Sequence, residues 1–325
     1  MRRREFIGLA GAAVVAWPVA ARAQQGMRVI GYLAAGSQAT FASRVAALRQ
    51  GLAENGYVEG RNVAIELRFA DGLYDRMRGF AAELVDLKVD VIVTGGPPAL
   101  RAAKEATTTI PIVFVVGSDP VRDGFVASLS RPGGNLTGIS FLAVDLTPKR
   151  LELISELVPR TRNFALLVNP TNAAETRVVT DMQQASERSG FQLQILRIAN
   201  ASELPAAFET LVGNKAGAAI VSPDSLFTTL SEQIVALASR HRIPAIYAFR
   251  ESASTGGLAS YGPSATAMQR QAGLYAGRIL NGDRAGDLPV MQPSTFEFVI
   301  NLRTARALGI EVAPILLARA DEVIE

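Results

Sequence analysis

Short apolar strands that alternate with amphipathic helices are the feature that most constrains the fold of this chain. The runs VDVIVTGG (89–96) and IPIVFVV (110–116) are almost continuously apolar and lack the alternating polar positions of a half-exposed strand. Strands of that kind are covered on both faces, which is typical of parallel sheets flanked by helices. The pattern predicts strands at 28–33, 62–70, 89–96, 110–116, 135–141, 163–169, 191–199, 216–222, 243–249 and 257–262, and helices at 41–57, 74–87, 98–108, 149–159 and 173–190.

The pattern runs through the chain twice, which predicts two similar lobes. The strands IPIVFVV (110–116) and IPAIYAF (243–249) each follow a helix, and each is followed by a Gly-Gly pair and another strand. The expected fold class is α/β, with two Rossmann-like lobes, parallel sheets and a cleft between them. We expect the lobes to comprise residues 27–143 plus about 263–294, and residues 144–262 plus about 295–325.

Residues 1–23 have the pattern of a cleaved export signal, with a basic start, an apolar run and an Ala-x-Ala site. Arg3-Arg4 ahead of Phe6-Ile7 is similar to a twin-arginine signal. The rest of the chain has equal numbers of basic and acidic residues, so its charge does not indicate a nucleic-acid partner. Cysteine is absent, so we expect an exported periplasmic protein without a lipid anchor.

Residues that carry catalysis are scarce. There is one histidine, His241, at a predicted helix end, and no cysteine, which leaves little for a Cys-His or Ser-His-Asp centre. No P-loop, no dinucleotide-binding glycine motif and no metal-ligand spacing occurs. The sequence therefore favours a binding protein over an enzyme, and we expect no cofactor and no metal.

Small polar residues follow six of the predicted strands. In open α/β sheets, ligands bind outside the carboxyl ends of the strands, so these positions are candidates for ligand binding. The alternative for each Ser, Asp or Asn is a structural role as the cap of the next helix. The candidates are Ala35, Gly36, Ser37, Thr94, Gly95, Gly96, Pro97, Gly117, Ser118, Asp119, Asn169, Thr171, Asn172, Pro223, Asp224, Ser225 and Glu251.

Each type of candidate residue suits a particular chemical group of a ligand. Helix N-termini offer N–H groups and a partial positive charge to an anion such as a carboxylate. The carboxylates of Asp224 and Glu251 are suited to an ammonium group, while Gly95 and Gly96 allow a ligand to approach the backbone. Asp119 is a candidate both for the ligand and for capping the turn that follows it.

Several long segments are similar to a known family. GLAENGYVEGRNVAIELRFADG (51–72), DVIVTGGPPA (90–99), IPIVFVVGSDPVRDGFVASLSRPGGNLTG (110–138), LLVNP (166–170) and the C-terminal segment 296–325 resemble motifs of substrate-binding proteins of ABC importers. The resemblance covers the chain after the export signal. It implies a type I periplasmic-binding-protein fold, with the ligand held between lobes that are joined by hinge strands.

The resemblance also implies partners, namely a small solute and the membrane permease of an ABC importer. We expect an amino acid or a related small carboxylate as the solute, and a protein that acts as a monomer. Relatives often have Tyr where this chain has Val168, which weakens the case for an aromatic ligand. Two alternatives stay open: a periplasmic sensor subunit, and an enzyme on the same fold that would use Asp119, Asp224 or Glu251.

Overall fold

The first of two β-sheets is built from the N-terminal part of the structure, a computed structural model that describes residues 26–325. Its strands are β1 (Arg28–Ala34), β2 (Val63–Phe69), β3 (Val91–Gly95), β4 (Ile112–Val116) and β5 (Leu136–Ser140). They lie in the order β2-β1-β3-β4-β5, and every neighbouring pair is parallel. The predicted export signal at residues 1–23 falls outside the described residues.

The second sheet has seven strands. They are β6 (Asn163–Val168), β7 (Gln192–Arg197), β8 (Ala218–Val221), β9 (Ala245–Tyr247), β10 (Ala259–Gly262), β11 (Glu297–Asn301) and β12 (Glu322–Ile324). Their order is β12-β11-β10-β9-β8-β6-β7, and only the β10–β11 pair is antiparallel. The predicted α/β fold with two parallel-sheet lobes is therefore confirmed.

Helices cover both faces of each sheet and follow the predicted pattern within a few residues. The predicted helix 41–57 begins earlier, at Gln38, because the Ser37 hydroxyl accepts a hydrogen bond from the backbone N–H of Thr40 and caps it. The helices are α1 (Gln38–Glu54), α2 (Met77–Asp86), α3 (Pro97–Ala106), α4 (Thr147–Leu157), α5 (Glu175–Ser189), α6 (Leu204–Gly213), α7 (Ser225–Thr229), α8 (Ser231–Arg240), α9 (Arg250–Ser254), α10 (Ala265–Leu280), α11 (Leu302–Leu308) and α12 (Pro314–Arg319), with short 3-10 turns at Tyr74–Arg76, Ala201–Glu203 and Ala285–Asp287. Within residues 26–325, none of these helices has the length and apolar character needed to cross a membrane.

Helix α10 comes late in the chain but packs on the first sheet, against α1. The two backbones touch at glycines. A Cβ atom at Gly51 would lie 2.0 Å from the carbonyl oxygen of Arg270, and one at Gly273 would lie 2.3 Å from that of Leu48. Any larger residue would separate the helices, so these glycines hold α1 and α10 as one block in the core of the first lobe.

The chain passes between the sheets after β5, after β10 and before β11. The side chain of Arg150, in α4, is fully buried beside two of these crossings. Its Nη1 donates to the carbonyl oxygen of Ala143 at 2.9 Å, and its Nε donates to that of Tyr261 at 2.8 Å. Burial lowers the pKa of Arg150 to about 9. One guanidinium thus fixes two connecting segments through neutral backbone acceptors.

We expect Arg150→Ala to lower the free energy of unfolding by about 3 kcal/mol, because it removes the donors of two buried carbonyl groups and leaves a cavity. Urea unfolding followed by circular dichroism measures this change. Arg160→Ala, at an exposed position just beyond the same helix, is the control and should stay close to the parent protein. Equal transitions for the two variants would contradict the role given to Arg150.

Candidate ligand-binding cleft

A cavity lies where the carboxyl ends of the two sheets face each other. The first lobe contributes α1, the ends of β3 and β4 and the start of α10, and the second lobe contributes the starts of α5 and α7 and the end of β9. Nine of the candidate residues line it: Gly95, Gly96, Pro97, Gly117, Ser118, Asn172, Pro223, Asp224 and Ser225.

The other candidates lie around the cavity rather than on its wall. Ala35, Gly36 and Thr94 are buried in the first lobe, and Gly36 packs on the ring of Phe41. Ser37 caps α1, and the carboxylate of Asp119 caps a turn by accepting from the N–H groups of Val121 and Arg122. Asn169 is buried beside Asp224. Thr171 lies in a neighbouring groove, and Glu251 lies at the start of α9.

Asp224 is the hydrogen-bonding centre of the cleft. Its Oδ1 accepts from the hydroxyl of Tyr74 at 2.7 Å, from Nδ2 of Asn169 at 3.0 Å and from the N–H of Leu226 at 2.8 Å. Its Oδ2 accepts from Nδ2 of Asn172. Three donors share Oδ1 and one reaches Oδ2, so the carboxylate holds four hydrogen bonds within the protein and Oδ2 keeps acceptor capacity.

One of these four bonds joins the lobes, because Tyr74 belongs to the first lobe and Asp224 to the second. Burial, together with the charge of Asp224, raises the pKa of Tyr74 well above its usual value. The phenol therefore stays protonated and acts as the donor. Two glycines allow this approach: a Cβ atom at Gly72 would lie 2.8 Å from Cδ1 of Leu226, and one at Gly96 would lie 2.9 Å from Oγ of Ser225.

A second link between the lobes starts at Ser118, the residue that follows β4. Its hydroxyl donates to the carboxylate of Asp123, which lies 3.7 Å from the guanidinium of Arg177 on α5. Ser118 is completely buried. The Ser118 hydroxyl therefore donates its hydrogen to a protein group. Ser118 lies on the wall of the cleft and is linked through Asp123 to Arg177 of the other lobe.

Helix α3 differs from the expected anion-binding helix start. Its first two residues are Pro97 and Pro98, which have no N–H group. The N–H of Gly96 donates to the carbonyl oxygen of Val115. The start of α3 thus offers a ligand much less positive character than a helix N-terminus usually does.

The prediction from strand ends missed the other residues of the cavity wall, among them Phe41, Arg44, Phe141, Phe249, Met268 and Gln269. Arg44 is the most informative, because its guanidinium carbon lies 4.4 Å from the ring centre of Phe41 and 4.9 Å from that of Phe249. The two rings come from different lobes. In the sequence, the signal for Phe41 and Arg44 was their spacing of three residues within a helix, which places them on the same face.

Comparison with known proteins assigns the family. Residues 36–324 match the family described as ABC transporter substrate binding protein. The chain belongs to this family. The class of protein that the fold and the cleft define is thus a two-lobed substrate-binding protein, as the sequence motifs predicted.

Individual relatives have named ligands. A tyrosine-binding protein of Clostridioides difficile (strain R20291) is 30% identical over 261 residues, which cover 80% of this chain and 74% of that protein. A domain from Streptococcus pneumoniae in complex with L-Trp has 24% identity and a TM-score of 0.83, over 92% of this chain and 100% of that one. A ligand-free, open substrate binding protein with adhesive properties from Clostridium difficile has 26% identity and a TM-score of 0.65, over 92% and 99%.

We expect Asp224→Asn to destabilise the protein in the absence of any ligand, by about 2 kcal/mol, because the amide nitrogen in place of Oδ2 would face the amide donor of Asn172. Thermal unfolding of the ligand-free protein measures it. Asp119→Asn is the matched control, since asparagine caps a turn as well as aspartate does. An unchanged unfolding temperature for Asp224→Asn would contradict a structural role for this carboxylate.

Proposed function

We propose that this chain is the solute-binding subunit of an ABC importer, which captures an amino acid or a related small carboxylate and delivers it to a membrane permease. The observation that carries the proposal is a cavity lined by both lobes and bridged by the Tyr74–Asp224 hydrogen bond. A solute in this cavity contacts both lobes at once, so it stabilises the closed arrangement. Membership of the substrate-binding family supports the same role.

Hinge closure is part of the proposal. The structure is more similar to the L-Trp complex, with a TM-score of 0.83, than to the open protein, with a TM-score of 0.65, although the two are almost equally related to it in sequence. The direct contacts of Tyr74 and Gly72 with the second lobe support a closed arrangement here. We infer that release of the solute accompanies loss of these contacts, as in other hinged binding proteins.

A binding role also agrees with the chemistry of the cavity. An enzyme on this fold would need a reactive acid or base in the cavity, yet Asp224 accepts four hydrogen bonds within the protein, Asp119 caps a turn and Glu251 does not lie on the cavity wall. The single histidine, His241, stacks on Phe208 at the end of α8 instead of facing the cavity. We therefore propose a non-catalytic protein, exported to the periplasm, that acts there as a monomer.

We expect Tyr74→Phe to weaken solute binding about tenfold, because it removes one charge-assisted hydrogen bond that exists only when the lobes meet. Calorimetry measures the affinity, and small-angle X-ray scattering measures the solute-dependent decrease in radius of gyration. Tyr57→Phe is the matched control, since its hydroxyl donates to Asn281 within the first lobe. A solute that binds without any decrease in the radius would contradict the clamp mechanism.

A further inference from the structure

Arg44 brings a positive charge to the cavity wall, and its side chain forms no hydrogen bond and no ion pair within residues 26–325. The residue is only partly buried, so its N–H groups are accessible to a solute in the cavity. A guanidinium presents these donors as a planar fork that matches the two oxygens of a carboxylate. The N–H groups of Arg44 are therefore suited to the acid group of a solute.

Two aromatic rings hold this guanidinium, and they belong to different lobes. Its carbon lies 4.4 Å from the ring centre of Phe41, which is also in α1, and 4.9 Å from that of Phe249, which follows β9 in the second lobe. Cation–π contacts of this kind restrict the orientation of a guanidinium and stabilise its charge. Because Phe249 reaches Arg44 only where the lobes meet, the complete arrangement belongs to the closed cleft.

Glu251 is a counter-charge that acts on Arg44 from a distance. Burial lowers the pKa of Arg44, and the carboxylate of Glu251 acts in the opposite direction. Glu251 lies beyond the 4.0 Å ion-pair distance and is not on the cavity wall, and its Oε2 is buried without a hydrogen-bond partner within the described chain. It therefore attracts the guanidinium without occupying its N–H groups, and it opposes any second negative charge beside Arg44.

Helix α10 adds to the positive character of this part of the wall. Its contact with α1 joins Gly273 to Leu48, and the two helices run in the same direction, so Arg44 lies one turn before this contact and beside the first turns of α10. Ala265, the first residue of α10, is on the cavity wall. The N-terminus of a helix carries a partial positive charge, which supports an anion bound at Arg44.

Other groups near the cavity do not offer an equal partner to an acid group. The two prolines at the start of α3 carry no N–H, and the N–H of Leu226 at the start of α7 is donated to Asp224. The carboxylate of Asp224 repels an acid group and keeps acceptor capacity for a donor. The buried Oε1 of Gln269, which has no hydrogen-bond partner within residues 26–325, also suits a donor. The acid group of a solute therefore finds its strongest partner in Arg44, whereas a hydroxyl or an ammonium finds acceptors elsewhere on the wall.

We propose that Arg44 is the residue that selects acids. It binds the carboxylate of the solute, the ring of Phe249 completes its site when the lobes meet, and Glu251 limits the affinity by opposing the negative charge of the solute. This inference rests on the proposed function of solute capture and assigns the acid group of the solute to one residue. It applies to amino acids and hydroxy acids alike, because both carry this group.

Pairs of an acid and its amide test the proposal on the purified protein, after bound solute has been removed by unfolding and refolding. The two members of each pair differ only in the acid group: L-tyrosine and L-tyrosinamide, L-tryptophan and L-tryptophanamide, L-leucine and L-leucinamide, L-alanine and L-alaninamide, L-lactate and L-lactamide. Calorimetry gives both affinities, at about pH 6 because an amino group is then charged in both members. In each pair that binds, we expect the acid to bind about tenfold more tightly than its amide, or better.

The ratio of the two affinities is a readout that general destabilisation does not change, because destabilisation weakens both members equally. We expect Arg44→Gln to lower the acid-to-amide ratio about tenfold, Arg44→Lys to retain part of it, and Glu251→Gln to raise it by removing a negative charge near the carboxylate. Phe249→Leu should lower the ratio, and Phe249→Tyr, which keeps a ring, should preserve it. Arg101→Gln is the matched control, because Arg101 also lies over a ring, that of Phe125, but outside this cavity.

The outcomes separate this proposal from the one on which it rests. Equal binding of acid and amide in every pair that binds, or equal ratios for Arg44→Gln and Arg101→Gln, would overturn the assignment of Arg44 and leave the binding function in place. An unchanged ratio for Glu251→Gln would overturn the role of Glu251. Binding of only a neutral solute, such as a sugar, would overturn the selection of acids. Absence of binding across acids, amides, sugars and nucleosides, with no change in the radius of gyration, would contradict both proposals.

Discussion

The hydrogen bonding of the Asp224 carboxylate is the interaction on which the contact between the two sides of the cleft depends. It caps α7, orders the two asparagines Asn169 and Asn172 at the ends of neighbouring elements, and receives the Tyr74 hydroxyl from the other lobe. A buried carboxylate is stable only when donors surround it, and these donors come from separate parts of the chain, namely Tyr74, the loop with Asn169 and Asn172, and the start of α7. The position of one side chain thus couples the local order of the second lobe to its contact with the first.

The charges of the cleft divide into two groups. Asp224, Asp123 and Arg177 serve contacts within the protein, whereas Arg44 faces the cavity between two aromatic rings. Burial lowers the pKa of Arg44, and the nearby Glu251 and Tyr32 act in the opposite direction. The cavity is therefore more selective than a count of polar residues suggests, because most of its polar groups have their partners already.

The alternation of apolar strands and helices was sufficient to predict the strands β1 to β10, because a strand covered on two faces has few acceptable sequences, but it did not place β11 and β12 in the second sheet. Strand ends located nine residues of the cavity wall, including Gly95, Ser118 and Asp224. They did not locate Arg44 or Gln269, which lie on the sides of helices and contact the cavity only through the packing of α1 on α10.

The roles within the cleft were harder to predict than the positions. The sequence leaves Asp224 as either a ligand-binding carboxylate or a helix cap, and only the three-dimensional structure shows its hydrogen bonds with Tyr74 and Asn172, which are distant in sequence. Likewise, Pro97 and Pro98 suit the first turn of a helix but deprive it of the N–H groups that an anion would need. Long-range pairing decides the first case, and sequence periodicity has no information about it, whereas the second case follows from the chemistry of the two prolines.

The glycine contact between α1 and α10 also bears on how the molecule is made. Leu48 and Leu52 of α1 belong to a core that α10 completes, yet strands β6 to β10 of the second sheet are synthesised between the two helices. The first lobe therefore cannot close its core until most of the chain exists, and its folding depends on contacts of high sequence separation. Until α10 has been synthesised, the apolar surface of α1 that it covers is open to other proteins, including chaperones.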